Sequence, residues 1–203
     1  MTDALRKEVI ELTRDGTVRR CFGSDLLARP VGIVYVKPRD RLYVVDGDAH
    51  CVRVFDLSGR CVASFGERGS APGLFNYPSH IGYDGQDTIA VVDSGNFRVQ
   101  LFDLDGKLVL TFGQKGNGAG DFALPKGVAF DSEGHIYVVD ARFENVQVFD
   151  RQGRLLLAFG TEGGDWGEFS LPAGLAIDAE DRIFLADSGN RRIQVFQFLR
   201  ASS

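Results

Sequence analysis

Apolar residues in this chain arrive in short bursts. Between residues 126 and 160 they form four β-type runs, "KGVAFD" (126–131), "HIYVVD" (135–140), "NVQVFD" (145–150) and "RLLLAFG" (154–160). The gaps hold three or four residues, with turn signals at Asp131 to Gly134 and at Gln152-Gly153. Such gaps are too short for crossover helices, so neighbouring runs pair antiparallel. The second run and its counterparts, "TIAVV" and "RIFLA", are apolar at almost every position, the pattern of a strand buried on both faces. The predicted unit is a four-stranded meander covered on both sides.

That unit recurs. The aspartate closing the second run falls at 46, 93, 140 and 187, a spacing of 47 each time. Phe55, Phe102, Phe149 and Phe196 keep the same beat, as do Pro78, Pro125 and Pro172, and the pairs Phe65-Gly66, Phe112-Gly113 and Phe159-Gly160. Around Pro30 the spacing changes: it lies five residues closer to Phe22-Gly23 than its counterparts do, and one residue further from Asp46. Such length changes sit in loops. A covered four-stranded sheet repeated every 40 to 50 residues is a blade of a β-propeller.

"LPKGVAFDSEGHIYVVD", "DSGNRRIQVF" and "GAGDFALP" resemble NHL repeats, and the likeness covers residues 8 to 199. The resemblance implies a propeller, most often six-bladed, that serves as a binding platform for protein or RNA. Related propellers include lactonases and amidating lyases with a metal in the central channel. Residues 30–66, 78–113 and 125–160 supply three complete blades. Residues 172–199 give the first three strands of another, and 8–23 read as a third and a fourth strand. The expectation is one all-β propeller domain over residues 1–203 with about four blades and no regular helix beyond the first few residues. The N-terminal strand would complete the last blade, or the arc would form part of a six-bladed or dimeric ring.

Composition fits this picture. Apolar residues make up 44% and aromatics 11%, enough for a sizeable core, and 25 glycines suit a turn-rich β protein. The net charge of −5 disfavours nucleic acid as a general partner. Cys21, Cys51 and Cys61 form neither a disulfide framework nor a metal spacing. The first residues show no secretory leader and no run approaches a membrane span, so a soluble, cytoplasmic protein without membrane insertion is expected.

Loops from strand two to three, and from strand four to the next strand one, emerge on one face and are the variable ones. The turns Ser94-Gly95-Asn96 and Ser188-Gly189-Asn190 read as structural, with Asp93 and Asp187 accepting backbone N–H groups. Gly47-Asp48-Ala49-His50 and Ala141-Arg142-Phe143-Glu144 abandon that turn, where a partner could be fitted. Phe75, Phe122 and Phe169 in G-x-F-x-x-P read as plugs between blades. Trp166 aligns with Pro72 and Ala119, so the scaffold does not require it, and an aromatic beside glycines suits a binding anchor. His80 begins an innermost strand where other copies have Gly32, Gly127 and Gly174. One histidine is not a metal site, so no metal, cofactor or catalytic residue is expected.

The binding candidates are His50, Arg68, His80, Phe97, Lys126, Arg142, Phe143, Trp166 and Arg191. On the loop face Arg68, Lys115, Lys126, Arg142, Arg191 and Arg192 are balanced by Asp48, Glu67, Asp121, Glu144, Glu162, Asp165 and Glu168. Balanced signs leave counterion release little to work with, so RNA is an unlikely partner. The expected function is a non-catalytic platform for another protein or for a second copy. A metal-dependent hydrolase or lyase and an RNA-binding platform are the alternatives.

Overall fold

The computed structural model of the chain describes residues 1–198. Five antiparallel blades follow one another along the described residues. Blade I holds β1 (Thr2–Asp3), β2 (Glu8–Leu12) and β3 (Val18–Phe22). Blade II holds β4 (Pro30–Val36), β5 (Arg41–Asp46), β6 (Cys51–Asp56) and β7 (Cys61–Phe65). Blade III holds β8 (Pro78–Tyr83), β9 (Thr88–Asp93), β10 (Arg98–Asp103) and β11 (Leu108–Phe112). Blade IV holds β12 (Pro125–Phe130), β13 (Ile136–Asp140), β14 (Asn145–Phe149) and β15 (Leu155–Phe159). A short parallel pair, β16 (Thr161–Glu162) and β17 (Glu168–Phe169), leads into blade V, which holds β18 (Pro172–Ile177), β19 (Arg182–Asp187) and β20 (Arg192–Gln197). All pairing within blades is antiparallel between sequence neighbours. No described segment is an α-helix; Lys37–Arg39 and Ser94–Asn96 are single 3₁₀ turns.

The blades number five among the described residues, where the sequence pattern predicts about four. The N-terminal strands do not complete blade V. β1 supplies a second-strand partner to β2, with Thr2 opposite Val9, and β3 pairs on the other edge of β2. Val9 and Phe22 pack with Leu27, Val44 and Phe55, so this sheet is held against blade II. The opening residues, allowed a helix by the sequence, are therefore strand. Residue 199, which the sequence assigns to the last blade, lies outside the described residues.

Blades lock together through a repeated trio of rings. Phe112 at the end of β11 and Phe122 of the following loop both meet Phe149 on β14, at 4.8 and 5.7 Å between centroids. Phe65 and Phe75 meet Phe102 in the same way, and Phe159 and Phe169 meet Phe196. Phe75, Phe122 and Phe169 are 0% exposed, which bears out their reading as plugs. Gly66, Gly113 and Gly160 turn the chain beneath these rings with φ of 83°, 85° and 93°, a conformation that favours glycine.

At the inner edge, first strands lie almost backbone to backbone. A Cβ on Gly127 would stand 2.9 Å from Gly174 Cα, and one on Gly32 2.9 Å from the Ile81 nitrogen. A Cβ on Gly174 would meet nothing within 4 Å, and Ile193 and Val195 on the third strand of the same blade are 60% and 53% exposed. Blade V thus presents an uncovered face among the described residues.

Candidate functional site

Strands run back and forth, so the loops between strands two and three share one face with those leading into each first strand. Four aspartates hold this loop face together. Asp46, Asp93, Asp140 and Asp187 close their second strands and are 0% exposed. Each accepts backbone N–H groups from the incoming loop: Ala28 and Arg29 on Asp46, Asn76 on Asp93, Ala123 and Leu124 on Asp140, and Ser170 on Asp187. Where the DSGN turn is present, side chains complete the cage. Asp93 accepts from Asn96, Arg98 and Gln100, and Asp187 from Asn190, Arg192 and Gln194. The structural role expected of the turn is borne out, and the aspartate also ties the blade to the loop before it.

Burial acts to raise the Asp187 carboxyl, but these donors outweigh it and hold the group below its ordinary 3.8. A carboxylate depressed by folding stabilises above its unfolded value and loses that contribution as pH falls through the folded one. The urea midpoint should therefore drop as pH is lowered below about 4. In Asp187→Asn, the part of that drop belonging to this carboxyl should be absent.

The residue four places past each of these aspartates has a left-handed backbone: φ is 55° at His50, 58° at Phe97, 53° at Glu144 and 54° at Arg191. At His50 and Glu144 the side chain reaches the following blade. His50 Nδ1 accepts the Tyr77 N–H at 3.1 Å, and Glu144 Oε2 accepts the Leu171 N–H at 2.6 Å. His50 is accordingly buried, with its ring 4.6 Å from that of Tyr77. The altered turn at 47–50 thus serves a neighbouring blade.

The other candidates divide by sector. Phe97, Lys126 and Arg142 come together around Leu124, with Lys115 Nζ 5.2 Å above the Phe97 ring. Phe143 is half-buried, its N–H donated to Asp140. Trp166 is 86% exposed in the loop before blade V, with Arg192 6.0 Å from its ring, and Arg191 is exposed on the same blade. Arg68 is exposed in the loop between blades II and III. His80 lies on β8, half-buried, and its Nδ1 has no hydrogen-bond partner. Burial holds its imidazole below the ordinary 6.5 and so neutral. Among the described residues no three His, Cys, Asp or Glu side chains converge as metal ligands.

One row of residues escapes the sequence reading. Tyr77, Leu124 and Leu171 precede the proline of each first strand, again 47 apart, and are 48%, 37% and 59% exposed. They stand at the inner rim of the loop face, with Arg29 in the corresponding place on blade II. The signal available was the X-Pro position itself, at constant spacing with unlike side chains.

The NHL repeat family matches residues 27–55, 122–149 and 169–196, each an incoming loop and the first three strands of blades II, IV and V. No curated protein matches the sequence. Among solved structures, a catalytically inactive virginiamycin B lyase from Staphylococcus aureus with quinupristin superimposes with a TM-score of 0.69 at 13% identity, over 96% of this chain and 64% of that one. A streptogramin B lyase gives 0.66 at 13% identity, over 97% and 63%. The nidogen/laminin complex gives 0.65 at 19% identity, over 95% and 75%. The chain thus spans a little under two thirds of these lyases, and identities this low speak for the fold alone. No helix among the described residues is long and apolar enough to cross a membrane. With the 47-residue period, the antiparallel blades and the matched repeats in agreement, the chain is a β-propeller that carries NHL repeats at these three positions.

Proposed function

We propose that the chain is a non-catalytic binding platform that receives a protein partner on its loop face. The observation that carries this reading is the set of large exposed apolar side chains there: Trp166, Leu171, Tyr77 and Leu124. None of them is needed to close a blade, and aromatic anchors of this kind concentrate binding energy at protein interfaces. One structural neighbour comes from a protein–protein assembly, the nidogen/laminin complex. The inner strands offer Val31, Ser79, Lys126 and Ala173 at the rim, with a single imidazole at His80, a poor donor set for a channel metal.

The test is affinity capture from a cell extract with the wild-type chain and with Trp166→Ser/Tyr77→Ser/Leu171→Ser. Trp166 and Leu171 are exposed and Tyr77 gives up only its ring contact with His50, so the variant should stay folded, with a thermal melt that verifies it. The platform reading expects a partner retained by the wild type and lost from the variant. Turnover of quinupristin accompanied by a stoichiometric metal would favour the lyase reading instead.

A further inference from the structure

Charges on the loop face balance in number but not in place. Around the junction of blades III and IV, Lys115, Lys126 and Arg142 form no ion pair among the described residues, whereas Arg29 pairs with Asp48 at 2.7 Å and Arg192 with Asp187 at 2.8 Å. The acids of this sector are engaged elsewhere: Asp121 accepts the Gly118 N–H, and Asp140 is buried among four backbone donors. The loop-face acids Glu162, Asp165 and Glu168 lie in the next loop, around Trp166.

The unpaired cations surround an apolar ridge. Leu124 separates two adjoining hollows of about 450 and 330 Å³. Lys115 and Arg142 line the first, and Tyr77, Phe97 and Lys126 the second. Lys115 is held over Phe97, so its ammonium is positioned before any ligand arrives. Three cations on both sides of an exposed leucine match a chain that alternates carboxylates with apolar side chains.

We infer that this saddle binds an acidic peptide segment in extended form, its carboxylates on Lys115, Arg142 and Lys126 and an apolar side chain beside Leu124. This rests on the loop-face platform reading and names the chemistry of the partner. A nucleic acid is the poorer fit: its phosphate track would leave the three cations and run onto Glu162, Asp165 and Glu168, on a chain of net charge −5.

The experiment is fluorescence anisotropy of the full chain with three labelled probes: a peptide alternating glutamate and leucine, its lysine–leucine counterpart, and a single-stranded oligouridine. The acidic peptide should bind, the basic one should not, and Lys115→Glu or Arg142→Glu should each weaken binding about tenfold or more. Lys107→Glu, on a hairpin turn of the opposite face, should leave it unchanged. Thermal melts of each variant verify folding. No binding of the acidic peptide, binding indifferent to both charge reversals, or tighter binding of the oligouridine with the same dependence overturns the inference. If the acidic peptide fails while capture through Trp166, Tyr77 and Leu171 succeeds, the inference falls and the platform stands. If both fail, the platform falls with it.

Discussion

Replacing Asp93 with alanine should lower the unfolding free energy by about 3–5 kcal/mol. Its carboxylate accepts the Asn76 N–H at 2.7 Å, Asn96 and Arg98 at 2.8 Å and Gln100 at 3.2 Å, all at a site with no solvent exposure. Arg98 is itself buried, its remaining nitrogens donating to the carbonyls of Ser70, Ala71 and Leu74. Without Asp93 the guanidinium would remain buried with carbonyl dipoles but no counter-charge, and the Asn76 N–H would lose its acceptor. Urea denaturation of Asp93→Ala and of Asp93→Ala/Arg98→Met measures this. The double variant should recover part of the loss, because removing both charges is milder than stranding one. Asp140→Ala should cost less, since Asn145 stands where blade III has Arg98 and no buried cation depends on that carboxylate. A single variant within about 1 kcal/mol of wild type would contradict the ion-pair account.

Phe122→Ala should have a comparable effect, about 3–5 kcal/mol, through a cavity. The ring is 0% exposed and shares one core cluster with Phe112, Phe149, Val99 and Val128. These residues come from blades III and IV, so the cavity loosens the join between two sheets. The surrounding β-strands cannot collapse into it without breaking their ladders. Phe169→Ala opens the same site before blade V, where Phe159 and Phe196 are only partly buried and can move into the gap. Its cost should therefore be smaller, with the loss of structure concentrated in blade V. Equal denaturation midpoints for the two variants would refute this dependence on blade position.

Much of this architecture is legible in the sequence because the blade is a local object. Its strands pair with their neighbours in the chain, so alternation, turn glycines and a constant period suffice to place them. Gly16, Gly59, Gly106 and Gly153 turn the hairpins with positive φ, as the turn signals predict. Blade I was less visible because β1 contributes only Thr2 and Asp3, too short for any alternation to show. The signal lay in spacing: Asp3 precedes Phe22 by the same 19 residues that separate Asp46 from Phe65 and Asp93 from Phe112. The site was harder to read. His50 looks like a free polar residue along the chain and is a buried acceptor in space. Tyr77, Leu124 and Leu171 share a position but no residue type. Summed along the sequence the loop charges cancel, while the fold gathers Lys115, Lys126 and Arg142 in one sector and Glu162, Asp165 and Glu168 in the next.

Pairing confined to sequence neighbours also sets how the molecule assembles. No described strand waits for a partner from the far end of the chain, so the loop-closure entropy that slows other β proteins is paid in small steps. Any blade can nucleate, and each new one needs only the face of the blade beside it. Blade III has two neighbours on either side, whereas blades I and V have support from one direction only among the described residues. Among the described blades, amide hydrogens should therefore exchange most slowly in blade III and faster toward blades I and V, a gradient that hydrogen-exchange mass spectrometry reads out blade by blade.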